Sequence, residues 1–278
     1  MAQAKNLQNL ITRALAGTVF VLLVVASLLF GPWTLAILFV FFTMAGLHEC
    51  YDLLSKHPSV HPRLSAGFLT GLCTYFLMVA VAMNVCSFKW FIVLIPLIVI
   101  VFCIELYSRD KFSLTHLGAT AIGWIYVVVP FGLIHAVAMA PGTYNYHLPL
   151  GYFILLWTND TGAYISGRWL GKHKLYEKVS PNKTWEGLFG GIALAFAVAW
   201  ILSLYFMDLN LSQWWVVAAI ISVFGNLGDL FESLVKRGAG VKDSGKIIPG
   251  HGGVLDRFDG YLLSIPMVYM YIELFVFS

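Results

Sequence analysis

Long apolar stretches alternate with short polar breaks along almost the whole chain. Nine runs stand out, at roughly 13–30, 33–54, 64–83, 88–107, 117–140, 149–170, 185–206, 213–235 and 259–278. Each is near the ~20 residues that carry a helix across a hydrocarbon core. The breaks have turn chemistry: Gly31-Pro32, the stretch from His57-Pro58 to His61-Pro62, Pro141-Gly142, and Ser180-Pro181-Asn182. Short alternating segments of barrel type are absent. The pattern predicts an all-α, polytopic integral membrane protein with about nine transmembrane helices, because a spanning segment must satisfy its own backbone polar groups.

Composition sharpens this. Of 278 residues, 59% are hydrophobic and 11% charged, against roughly 25% charged in a soluble domain. No long linker, low-complexity stretch or internal repeat divides the chain, so residues 1–278 read as one membrane domain. The first apolar run is long enough to stay as a span rather than leave as a signal peptide. The four cysteines fall in or at the edge of apolar runs with no CxxC pair, and read as packing residues rather than zinc ligands or a disulfide. With nine spans, every Lys and Arg except Lys89 falls on the side of the N-terminus or at span ends facing it. That bias puts the N-terminus and the two richest polar loops in the cytoplasm.

Some polar groups lie where lipid is expected. Asp160 sits near the middle of the sixth run, and Asp229 and Glu232 in the second half of the eighth. An acid at mid-bilayer costs about 2.5–3.5 kcal/mol on insertion scales, so these groups need a wet cavity, a cation or each other. Asp229, Glu232 or Ser233, and Lys236 are spaced three or four apart and share one helix face. A plain Glu232–Lys236 ion pair explains Glu232 as well as function does; Asp229, two turns deeper, reads as functional. Glu49, Asp52 and Glu105, at span ends near the interface, read as structural. Glu273 has no functional account.

The densest polar stretch runs from Ser233 to Asp259, SLVKRGAGVKDSGKIIPGHGGVLDRFD. Lys236, Arg237, Lys242, Lys246 and Arg257 are interleaved with Asp243, Asp256, Asp259 and glycines. Basic residues that only set topology would not need acids and glycines among them. Gly250, Gly252 and Gly253 let backbone N–H groups approach an anion, and His251 either donates to a phosphate or holds the turn. Asp256 and Asp259, three apart, face one way on a helix; with an acid from the eighth run they suit Mg²⁺, which takes oxygen ligands and works with phosphates. Helix N-terminal capping is the plainer reading of one such acid. In the other loop, Ser180, Lys183 and Thr184 precede the seventh run. They suit an anion at a helix N-terminus, or simply the helix start itself.

These residues resemble a known family. The pattern S-x-x-K-R-x4-K-D-x-G-x2-I-P-G-H-G-G-x-L-D-R-x-D from Ser233 to Asp259 is similar to the signature of the phosphatidate cytidylyltransferases, or CDP-diglyceride synthases. So are Gly228-Asp229 with Glu232-Ser233, and the segment from Asp160 through Gly167, Arg168 and Gly171 to Ser180-Pro181-Asn182-Lys183-Thr184-Trp185-Glu186-Gly187. The resemblance is specific over about 157–259; before residue 150 it extends only to apolar spans. It implies transfer of CMP from CTP to phosphatidate, giving CDP-diacylglycerol and pyrophosphate, with Mg²⁺ and room for a second cation. It further implies a bacterial inner-membrane homodimer with a cytoplasm-facing polar cavity among its lipids, and no nucleic acid. Residues 149–278 would then hold the catalytic spans and loops, and 1–148 the scaffold and dimer contact. The family pattern puts metal ligation on Asp229 and Asp256. It puts phosphate binding on Lys183, Lys236, Arg237, Lys242 and the GHGG turn, and places Asp160 and Asp259 in the same cavity.

Three other readings compete. A CTP-dependent lipid kinase would use a related cavity but move the γ-phosphoryl group. A CDP-alcohol phosphotransferase needs a DG-x2-AR…G-x3-D-x3-D run, which this sequence lacks. A cation-coupled transporter would use Asp160 and Asp229 as ion ligands but leaves the lysine- and glycine-rich loop unexplained.

Overall fold

The computed structural model describes residues 2–108, 114–248, 250 and 252–277, with backbone alone for 2–11 and 13. Its elements are α1 (Ala2–Leu29), α2 (Pro32–Ser55), α3 (Leu64–Ala82), α4 (Leu94–Leu106), α5 (Leu114–Gly123), α6 (Val129–Met139), α7 (His147–Leu170), β1 (Lys174–Tyr176), β2 (Ser180–Thr184), α8 (Trp185–Tyr205), α9 (Leu211–Gly238) and α10 (Leu255–Phe275). A 3₁₀ turn, Phe88–Val93, leads into α4, and a π turn, Trp124–Val128, joins α5 to α6.

Among the described residues six helical segments are long and apolar enough to cross a membrane: Pro32–Ser55, Leu64–Ala82, Phe88–Leu106, Leu114–Met139, Trp185–Tyr205 and Leu211–Gly238. The chain is therefore a multi-pass membrane protein, mostly helical among the described residues. The three remaining expected spans fall on α1, α7 and α10. Of these, α7 carries Asp160 and α10 carries Asp256 and Asp259, and α1 contributes the shorter apolar stretch Ala14–Leu29. One element departs from the all-helical expectation. β1 and β2 form a two-stranded antiparallel hairpin with an irregular register between Lys174 and Tyr176.

The helices group into two compact units, residues 1–135 with 238–258, and residues 136–237 with 259–278. In the first, Phe258 packs its buried ring 4.9 Å from Phe131 and 5.0 Å from Phe42. Tyr51 fills the space left by Gly67 and Gly123, where any Cβ would run into its ring. Its hydroxyl donates to the Thr120 carbonyl at 2.9 Å. Arg63 Nε lies 2.5 Å from the buried Glu105 carboxylate, whose other oxygen is 3.4 Å from His116 Nδ1. This group ties the start of α3 to the end of α4 and to α5, and accounts for Glu105 structurally.

In the second unit, α7 and α8 approach through small residues: a Cβ at Gly162 would lie 3.0 Å from the Gly191 Cα, and one at Gly190 would overlap Ser166. Close approach of this kind lets dispersion hold helices together where lipid offers no hydrophobic drive. Gly228 and Gly260 do the same for α9 and α10. Tyr152 and Ser264 share a 2.6 Å hydrogen bond, and Phe153 stacks on Tyr261.

Candidate active site

The polar residues singled out above fall into two groups, one in each unit. In the second unit, α7 carries Asp160, β2 carries Lys183, α9 carries Asp229, Glu232, Ser233 and Lys236, and α10 carries Asp259. Lys183 Nζ lies 2.7 Å from Asp229 Oδ2 and donates to the Asn226 carbonyl at 3.3 Å. Ser233 Oγ donates to Asp229 Oδ1 at 3.3 Å. Asp229 is thus held from both sides, by an ammonium from a strand and a hydroxyl one turn along its own helix. Lys236 Nζ stands 2.5 Å from the buried Glu232 carboxylate, four residues away; this is the intrahelical pair weighed from the spacing.

Asp259 is brought in by glycine. A Cβ at Gly228 would strike the Asp259 carbonyl, so α10 reaches this depth only because residue 228 has none. Asp259 Oδ1 accepts from the Gly260 N–H at 2.7 Å, and its carboxylate feels those of Asp229, Glu232 and Asp160 through space. Asp160, by contrast, is exposed, while its neighbour Asn159 is fully buried with neither side-chain polar atom hydrogen-bonded among the described residues. Thr184 is the N-cap of α8 and accepts from the Gly187 N–H at 3.1 Å. Ser180 opens β2, and Arg237 is exposed in the last turn of α9.

The second group surrounds the glycine-rich loop of the first unit. Glu49, on α2 and only 3% exposed, accepts the Val254 N–H on Oε1 at 3.0 Å and the Leu255 N–H on Oε2 at 2.9 Å. Ser244 Oγ lies 3.1 Å from Glu49 Oε2 and 3.0 Å from Asp256 Oδ2, so its single proton serves one at a time. Asp256 Oδ2 also accepts from the Ser244 N–H and the Gly253 N–H, both at 2.8 Å. The Val254 and Leu255 N–H groups at the start of α10 thus meet the Glu49 carboxylate, and Asp256 adds a second acid in the first turn, the favourable arrangement at a helix N-terminus.

The loop's glycines follow from this. Gly252 has φ +83°, and a Cβ there would run into Asp256; a Cβ at Gly245 or Gly253 would run into Glu49. These glycines make room for carboxylates, whatever they also do for an anion. Lys242, Lys246, Gly250 and Arg257 are exposed, and Gly252 and Gly253 are less so. Pro249 and His251 lie outside the described residues.

Asp229 and Asp256, expected as metal ligands, therefore belong to different groups, each with its own hydrogen-bond partners. Among the described residues no three His, Cys, Asp or Glu side chains gather closely enough to hold a metal ion. Glu49, read as structural from its span position, is the buried carboxylate that holds the glycine-rich loop, a partnership that span position did not reveal. The available signal was that Asp52 has a cation four residues on, Lys56, with which it pairs at 3.2 Å, whereas Glu49 has none within a turn.

Comparison with known proteins bears on both groups. The profile of the cytidylyltransferase family matches residues 11–275, nearly the whole chain. The chain belongs to the cytidylyltransferase family. A phosphatidate cytidylyltransferase of Staphylococcus haemolyticus is 44% identical over 163 residues, covering 58% of this chain and 61% of the relative. Another, from Staphylococcus aureus strain COL, is 41% identical over 177 residues, 63% of this chain and 66% of the relative. A third, from Staphylococcus epidermidis strain ATCC 12228, matches to the same extent. The matched stretch is thus somewhat under two thirds of each relative's length. Membership agrees with the resemblance drawn from the signature and makes nucleotidyl transfer the chemistry against which the site is best judged.

Proposed function

We propose that the protein is a phosphatidate cytidylyltransferase: it transfers CMP from CTP to phosphatidate, giving CDP-diacylglycerol and pyrophosphate for phospholipid biosynthesis. The observation that carries this reading is the Lys183–Asp229 pair at 2.7 Å, set beside Ser233 and Asp259 on membrane-length helices of a cytidylyltransferase-family chain. A lipid phosphomonoester, with a second pKa of about 6, needs no strong base to become a nucleophile. The difficulty is bringing it against a second anion. Lys183, Lys236 and Arg237 lower that repulsion, with Lys242, Lys246, Arg257 and the GHGG turn available for the triphosphate. A phosphatidate oxygen then attacks the α-phosphorus in line, the bond to the β-phosphate oxygen breaks, and pyrophosphate leaves.

Magnesium fits the donor chemistry. It takes one or two carboxylates and completes its shell with phosphates and water, so a ready-made protein cage is not required. Asp229 supplies such a donor, and the family resemblance implies Asp256 as another. When bound, the ion would polarise the phosphate oxygens. Fixing Asp229 between Lys183 and Ser233 keeps that carboxylate in place before substrate arrives.

In this reading α1, α7 and α10 also cross, giving nine spans. The segregation of Lys and Arg supports a cytoplasmic N-terminus and a polar cavity open to the cytoplasm; a bacterial inner membrane and a homodimer are what the family resemblance implies. The test is pyrophosphate release by purified protein given CTP and Mg²⁺. Release that depends on phosphatidate and matches CDP-diacylglycerol mole for mole is expected; release without phosphatidate, or none at all from folded protein, rejects the assignment.

A further inference from the structure

An apolar groove of about 560 Å³ runs along the second unit, within the roughly 300–1,000 Å³ of small-molecule sites. Trp185 and Leu188 of α8 form one wall, and Val223, Leu227 and Phe231 of α9 the other, with Tyr176 of the hairpin beside them. The α9 positions recur every four residues, so they form one continuous stripe. From Val223 to Leu234, also in the lining, the helix rises about 16 Å, close to half of a ~30 Å hydrocarbon core. Both walls belong to membrane-length helices, and the α9 wall is 41–51% exposed at Val223, Leu227 and Phe231.

The groove is joined to charge at one residue. Asn226 lines it, and the same residue's carbonyl accepts from Lys183 Nζ, the ammonium paired with Asp229. A cation for a phosphate and a leaflet-length apolar channel thus share a wall. That pairing suits an amphiphile with an anionic head and a hydrocarbon tail, and neither a nucleotide nor an ordinary apolar metabolite satisfies both parts.

We propose that this groove seats one acyl chain of the lipid whose phosphate is bound at Lys183. The proposal rests on the reading of that lipid as phosphatidate. Because bilayer and groove are both apolar, moving a chain between them gains little from the hydrophobic effect. The groove therefore acts by shape, registering the tail so that the head arrives correctly placed, and its effect is largest for long-chain substrate.

The test fills the groove with Leu227→Trp, a 48% exposed position, and in parallel widens it with Leu230→Ala. Dioleoyl and dihexanoyl phosphatidate are compared in mixed micelles. Leu227→Trp is expected to raise KM for the dioleoyl lipid about tenfold, with KM for CTP and turnover of the dihexanoyl lipid unchanged. Equal effects on both lipids, or none on either, overturn the proposal. A phosphatidate bearing a diazirine at mid-chain supplies a readout independent of turnover. It is expected to label the peptide from Val223 to Leu234, with unlabelled phosphatidate competing. Equal labelling by a diazirine phosphatidylcholine would mean bulk lipid only and also overturns it. If the wild type turns over neither phosphatidate yet the competed labelling persists, the assigned reaction fails while the groove assignment stands.

Discussion

Glu49→Gln is the perturbation that separates a positioned loop from a loose one. The carboxylate receives the Val254 and Leu255 N–H groups and lies within reach of the Ser244 hydroxyl, in a setting where it is 3% exposed. Gln keeps one acceptor oxygen. In its better orientation that oxygen serves Leu255 and Ser244, and the amide NH₂ then faces the Val254 N–H. One charge-assisted bond is lost, worth about 1.5–3 kcal/mol, and a buried donor is left facing another donor, a further cost of about 1–3 kcal/mol. Allowing for relaxation, the loop around Ser244 and Gly253 loses about 2–4 kcal/mol, or roughly 30- to 1,000-fold in its ordered fraction relative to open forms. The effect is local, so the helical circular dichroism should persist. Hydrogen exchange of the peptide carrying Val254 and Leu255 should accelerate by that factor, and KM for CTP should rise because Lys242 and Lys246 ride on the same loop and Arg257 on the first turn of α10 that follows it. Unchanged exchange together with an unchanged KM would show that Glu49 does not hold the loop and would refute the reasoning.

Other substitutions test the second unit and the metal. Lys183→Met removes the cation from Asp229 and should lower kcat by about 10²–10³ with the fold kept, read by steady-state rates and thermal melting. Gly228→Ala drives a Cβ into the Asp259 carbonyl, which as backbone cannot step aside, and should destabilise by about 1–3 kcal/mol. Gly225→Ala meets only Leu156 at 3.4 Å and the Gly260 carbonyl at 3.9 Å, so its melting temperature should stay near wild type. Asp229→Asn should raise the Mg²⁺ concentration needed for half-maximal rate. Asp256→Asn should do so too, and should also lower the melting temperature by weakening the bonds from Ser244 and Gly253. If both Asn variants fold and keep full activity at low Mg²⁺, neither residue is a metal ligand.

What was legible in the sequence was mostly what depends on neighbours along the chain. The Glu232–Lys236 pair and the Thr184 cap follow from spacing of three or four residues, and the helices follow from apolar runs. What was hidden depends on distant partners. The ninth run was expected to begin at 259, where continuous apolarity starts, but α10 begins at Leu255 because its first N–H groups are met by Glu49 from α2. The β1–β2 hairpin escaped notice because its strands are three and five residues long, polar, and set against each other with an irregular register. Its consequence matters, since β2 is what delivers Lys183 to Asp229. Gly250, Gly252 and Gly253 were read as room for phosphate; Gly252 and Gly253, with Gly245, make room for Asp256 and Glu49.

The central claim is nucleotidyl transfer to a lipid phosphate, and the most direct measurement follows the two ends of CTP. Purified protein in detergent would be given phosphatidate, Mg²⁺ and CTP labelled separately at the α and γ positions. The account predicts α label in the lipid and γ label in pyrophosphate. Gamma label in the lipid would contradict it and make the protein a CTP-dependent lipid kinase. Movement of neither label in folded protein would contradict it as well, leaving other lipid phosphates and then ion-coupled transport to be tried.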